Sequence, residues 1–110
     1  MINSRLSLHA IFEEILGSKN VYFQPPGSIR MQYPCIVYKL DDIPEKYADN
    51  ENYISNYCYN VTLIDSDPDT DYVDKIKKIR YTKFVKHFST QGLNHYVFTL
   101  NYKNETKENK

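Results

Sequence analysis

Residues 53–79 read YISNYCYNVTLIDSDPDTDYVDKIKKI, and the period of the pattern changes part-way along. As far as Ile64, Tyr53, Tyr57, Tyr59, Val61 and Leu63 fall on one side and Asn56, Cys58, Asn60 and Thr62 on the other, the period of a half-buried strand. From Tyr72 onward, Tyr72, Val73, Ile76 and Ile79 share one helical stripe. A strand therefore passes through an aspartate-rich connection straight into a helix.

Upstream, YPCIVYKLD (33–41) is a second strand, with Ile36, Tyr38 and Leu40 on one face and Cys35, Val37 and Lys39 on the other. Antiparallel pairing with apolar against apolar sets Ile36 opposite Tyr57 and Leu40 opposite Tyr53, which also brings Cys35 opposite Cys58. The polar segment between the strands is expected to be a mobile loop. Further upstream, Leu8, Ile11, Phe12, Ile15 and Leu16 recur at helical spacing, with Ser4 placed to cap the start and Gly17 to end it. NVYFQ then reads as a short strand, which the prolines of PPG end by removing backbone donors. Downstream, KFVKHFS and NHYVFTLNYK flank TQGL as a closing hairpin.

These elements predict an α+β fold: one small domain over 1–103, with two helices packed on a mostly antiparallel sheet of about five strands, in the order α-β-β-β-α-β-β. The residues from 104 to 110 contain no apolar side chain and are expected to form a solvated tail. At 110 residues the chain suits a single core.

Fourteen basic and fourteen acidic residues cancel, so no overall positive field draws in nucleic acid. Two cysteines are too few for a disulfide framework and lack metal-ligand spacing, which favours a reducing compartment and free thiols. No apolar run is long enough to span a membrane. Three separated glycines exclude phosphate-loop and dinucleotide signatures. Eleven tyrosines and no tryptophan supply many side chains with an apolar body and a polar tip, suited to strands and to interfaces.

The aspartates Asp65, Asp67, Asp69 and Asp71 alternate as in a calcium loop, but Thr70 stands where that loop needs glycine and Ile76 where it needs a bidentate glutamate. The alternative is that they complement the positive end of the following helix, with Asp69 or Thr70 capping it and Lys75, Lys77 and Lys78 at its negative end. A Cys/His nucleophile is not demanded by any spacing. KIKKIRYTKFVKH is a basic stretch with interleaved aromatics, read as a solvated helix face and its exit, with phosphate contact as the alternative.

The N-terminal helix, VYFQPPGSIRMQYPCIVYKLDD, ISNYCYNVTLIDSDPDTDYVDKI and the closing aromatic hairpin together resemble the tail terminator, or tail completion, proteins of long-tailed bacteriophages. The resemblance covers roughly residues 6–102 and rests on the order of elements and the Tyr33-Pro34 strand opening. It implies a non-enzymatic virion protein without cofactor or metal, assembled in the host cytoplasm, that forms a hexameric ring on the tail tube and joins it to the head. Its partners would be tail-tube and head-tail connector proteins, without sequence-specific nucleic acid binding. Tyr47, Tyr53, Asn56, Cys58, Asn60, Thr62 and the 44–52 loop are the candidate contacts; Asp65, Asp67, Asp69 and Asp71 are the candidate lumen or acidic surface. Two other functions compete: a small metal-binding module or enzyme centred on the 65–71 connection, and a module whose strand edge recruits a partner strand.

Overall fold

The fold was obtained as a computed structural model, which describes residues 4–42 and 55–104. Among them the order is α1 (Ser4–Leu16), β1 (Val21–Phe23), β2 (Cys35–Asp42), β3 (Ser55–Asp65), α2 (Tyr72–Lys77), β4 (Thr82–Thr90) and β5 (Leu93–Asn104). The expected α+β class and element order are both present. The five strands form one sheet in the order β1-β2-β3-β5-β4, antiparallel throughout except for the parallel β1–β2 pair. Asn104, placed in the tail by its polarity, is the last residue of β5 and pairs with Ser55.

Each helix lays its apolar stripe on the same side of the sheet. Leu8, Phe12 and Leu16 of α1 and Ile76 of α2 are buried with Ile36, Tyr38, Tyr59, Val61, Leu63, Phe98 and Leu100 in one core. Gly17 ends α1 at φ +69, where a left-handed residue costs glycine least, and the amides of Gly17 and Ser18 both donate to the Glu13 carbonyl. After β1 the two prolines cannot donate to the ladder, and just before them the Leu40 amide of β2 donates to the side-chain Oε1 of Gln24 at 3.1 Å. At the far end, Gln91 (φ 54) and Gly92 (φ 77) turn β4 into β5 with two consecutive left-handed residues, as the twist of a tight hairpin requires.

The register between β2 and β3 differs from the expected one. Ile36 pairs with Leu63, Leu40 with Tyr59 and Cys35 with Ile64, while Cys58 lies opposite Asp42. The displacement is six residues, an even number, so every side chain keeps its face. The physical reason is burial: this register sets the most apolar part of β3, Val61–Ile64, against the most apolar part of β2, Cys35–Tyr38, all of them buried except Val37 and Thr62. Cys35 and Cys58 consequently sit roughly 20 Å apart along the strands, well beyond the reach of a disulfide. Neither cysteine forms a disulfide.

Candidate functional site

Among the described residues, two surfaces bear on function once the core is assigned: the sheet face opposite the helices, and the edge formed by β4. The opposite face carries Val37 and Lys39 from β2 and Cys58, Asn60 and Thr62 from β3, by strict alternation with the core residues. Of the expected interface residues, Asn60 and Thr62 come together here and help line an open depression of about 420 Å³ with Gln24, Pro25, Val37 and Lys39. Cys58 is half-buried on the same face. Asn56 belongs to β3 opposite Lys103. Tyr47, Tyr53 and the 44–52 loop lie outside the described residues.

The aspartates form a shaped connection. Asp65 Oδ1 accepts from the Asp67 amide at 3.0 Å, Asp67 Oδ1 from the Asp69 amide at 2.9 Å, and Thr70 Oγ1 from the Tyr72 amide at 3.2 Å. Each side chain closes a turn on the backbone two residues on, so successive turns carry the chain from β3 over to α2. Asp71 occupies the N-cap of α2 without a side-chain cap bond. Of the two expected capping residues Thr70 makes a bond, to the first helical residue; Asp69 donates its amide to Asp67 instead. Asp65 is buried, whereas Asp67, Asp69 and Asp71 are exposed. A polar hollow of about 360 Å³ opens between Asp65, Asp67, Asp71 and Lys75. Among the described residues, no three His, Cys, Asp or Glu side chains converge as metal ligands would. Tyr96, whose hydroxyl donates to the Pro68 carbonyl at 3.3 Å, has its phenol pushed up by burial and then by the carboxylates of Asp65, Asp67 and Asp69.

Among the described residues, one constellation fit for acid–base chemistry is one that residue spacing did not point to. Tyr38 Oη lies 2.7 Å from His9 Nδ1, and His9 Nε2 lies 3.5 Å from Glu13 Oε2. The order carboxylate, imidazole, hydroxyl matches that of a nucleophile with an oriented base. Its environment does not. Tyr38 has no exposed surface and is ringed by Phe12, Phe23 and Tyr59 at centroid distances of 5.2, 4.9 and 5.8 Å. Burial drives its phenol above the ordinary value, while Arg5, donating at 3.4 Å, pulls it partly back. A hydroxyl that no substrate can touch and that resists ionisation anchors α1 to β2. Cys35 is equally enclosed: burial, and then the nearby Asp65 carboxylate, push its thiol up to about 12, leaving no thiolate near neutral pH.

No family model matches this chain, and no curated protein matches it. The geometry must therefore carry the functional reading. No helix among the described residues is long and apolar enough to cross a membrane.

The edge strand β4 was legible only as half of a hairpin. It is exposed from Lys83 to Thr90 with Phe84 at 40%, Val85 at 49% and Phe88 at 41% accessible, although Phe84 packs edge-on against the buried Phe98. The basic stretch expected on a helix face belongs mostly to this strand and its approach: only Lys75 and Lys77 lie in α2. The overlooked signal is charge asymmetry. Every Asp, Glu, Lys or Arg from residue 75 to 104 is a cation, so neutrality of the whole chain conceals strong local charge.

Proposed function

We propose that this chain is a non-enzymatic assembly protein of a virion, which caps a tail tube as a hexameric ring and joins it to the head, as the tail terminators it resembles do. The observation that carries this reading is the one-sided sheet. Both helices cover one face, while the other offers β-forming and polar side chains, Val37, Lys39, Asn60 and Thr62, around an open depression. Such a surface can pack against another protein without remodelling the core, because its side chains already stand clear of the helices. On this reading the chain acts in the virion tail after assembly in the host cytoplasm, its neighbours are copies of itself, the tube and the connector, and the 65–71 aspartates face the passage for DNA.

Native mass spectrometry over a wide concentration range, followed by electron microscopy of the chain mixed with purified tail tubes, tests the proposal. Six-membered rings, free or seated on tube ends, are the expected result. A chain that stays monomeric at every concentration and leaves tube ends bare would sink it.

A further inference from the structure

We propose that β4 is a docking edge for an extended acidic segment of another protein, which adds to the sheet as a sixth strand. β4 ends the sheet, so the backbone groups of alternate residues point away from β5 with no strand among the described residues to receive them. Lys83 and Lys86 pair with Thr99 and Val97, which places them on the face opposite the core, while Phe84 and His87 pair with Phe98 and Tyr96 on the core side. A strand laid beside β4 therefore meets both cations on one face, beside the Phe88 ring, and the Phe84 and His87 rings on the other. Alternating acidic and apolar side chains are the complement of that pattern.

Charge selects the partner. No Asp or Glu lies between residues 75 and 104, and among the described residues neither Lys83 nor Lys86 is in an ion pair. A second copy of β4 is a poor fit, because full-length antiparallel pairing of two such strands would put Lys86 opposite Lys86. The irregularity between Phe84 and Lys86 further discourages indiscriminate pairing, as edge bulges do. Lysines and a bulge would suffice to protect the edge; the exposed Phe84, Val85 and Phe88 go beyond protection and supply apolar contact. A single-stranded nucleic acid suits the edge less well. Base stacking needs free ring faces, and Phe88 is already stacked on His95 at 4.6 Å and approached by the Lys86 ammonium at 5.6 Å.

The proposal goes beyond the ring reading, since a monomer offers the same edge, and ring formation and strand docking pass or fail separately. The whole chain is titrated with a labelled nine-residue peptide alternating glutamate with valine, with its lysine–valine counterpart, and with a thymidine oligonucleotide, while amide exchange along β4 is followed by NMR. The glutamate peptide is expected to bind at least about tenfold more tightly than the lysine peptide and to slow exchange in β4. The double change Lys83→Glu with Lys86→Glu should invert that preference, and Lys83→Gln with Lys86→Gln should abolish it; thermal midpoints would establish that both variants fold. Equal binding of the two peptides, no binding of either, displacement by the oligonucleotide, or β4 amides already protected by self-association in the peptide-free protein would each overturn the proposal.

Discussion

The Tyr38 hydroxyl and His9 Nδ1 meet at 2.7 Å inside the contact between α1 and β2, where Tyr38 has no exposed surface. One hydrogen bond thus ties the N-terminal helix to the second strand across the aromatic core, and its loss leaves a polar ring nitrogen facing apolar neighbours. Tyr38→Phe preserves the ring packing and removes only this bond and that from Arg5. It is expected to cost about 1–2 kcal/mol in urea unfolding, with the slope unchanged. Tyr38→Ala also removes the ring and is expected to cost roughly 3–5 kcal/mol. No loss on Tyr38→Phe would mean that the hydroxyl contributes nothing.

High pH should weaken the fold in a defined window. A group that holds its proton more tightly folded than unfolded supports folding fully below its unfolded pKa and loses that support as pH rises toward the folded value. For Cys35 the window opens at 9.0 and closes at about 12; for Tyr38 and Tyr59, both raised chiefly by burial, it opens at 10.0. Stability should therefore be flat below pH 9 with respect to these groups and fall above it. Cys35 alone would account for roughly 3–4 kcal/mol by the top of its window. Cys35→Ala should start less stable and lose less between pH 9 and 12, as read by denaturant midpoints at each pH. An unchanged slope in the variant would show that Cys35 is not the group responsible.

How far the residues announced this structure depends on which symmetry of the pattern was in play. The faces of β2, β3 and β5 were legible because Ile36, Tyr38, Val61, Leu63, Phe98 and Leu100 repeat every second position and all are buried. The register was not, because a slip by an even number leaves that repeat intact, and the choice between Tyr57 and Leu63 opposite Ile36 rests on which pairing buries more. β4 hid its nature for a related reason: the irregularity at Val85 breaks the alternation in KFVKHF, so the apolar pattern does not distinguish a strand packed on both sides from an exposed edge, and only its lysines do. The Glu13–His9–Tyr38 line was invisible because Tyr38 lies 29 residues from His9 and enters the contact only when α1 packs on the sheet. Chemistry set by tertiary contact leaves no spacing to read.

The aspartates of the 65–71 connection should be replaceable by asparagine where they act through Oδ1. Asparagine keeps an acceptor in the same place, so Asp65→Asn with Asp67→Asn is expected to change stability by less than about 1 kcal/mol, whereas Asp65→Ala with Asp67→Ala loses two turn bonds and should cost about 1–3 kcal/mol. Thermal unfolding in the presence and absence of calcium discriminates the competing metal reading: there the asparagine pair would abolish a calcium-dependent rise in the midpoint that the unchanged protein shows.

The β4–β5 turn offers the opposite case, a place where the chain is not at its best. Gln91 holds φ 54 and Gly92 φ 77, and open space surrounds the position a Cβ would take on Gly92. Any penalty for a side chain at Gly92 is therefore backbone strain and not a clash, and Gly92→Ala should cost about 1 kcal/mol. Gln91 already bears such strain, because a long unbranched side chain has none of the local bonding that lets asparagine adopt this region. Gln91→Asn builds the favoured asparagine–glycine pair and is expected to raise stability by roughly 0.5 kcal/mol, a shift of a few degrees in midpoint for a domain of this size. Calorimetry on the two single variants decides it. Stabilisation by Gly92→Ala, or a loss on Gln91→Asn, would mean that the turn does not adopt paired left-handed residues in solution, and would put the β4 register that depends on it in question.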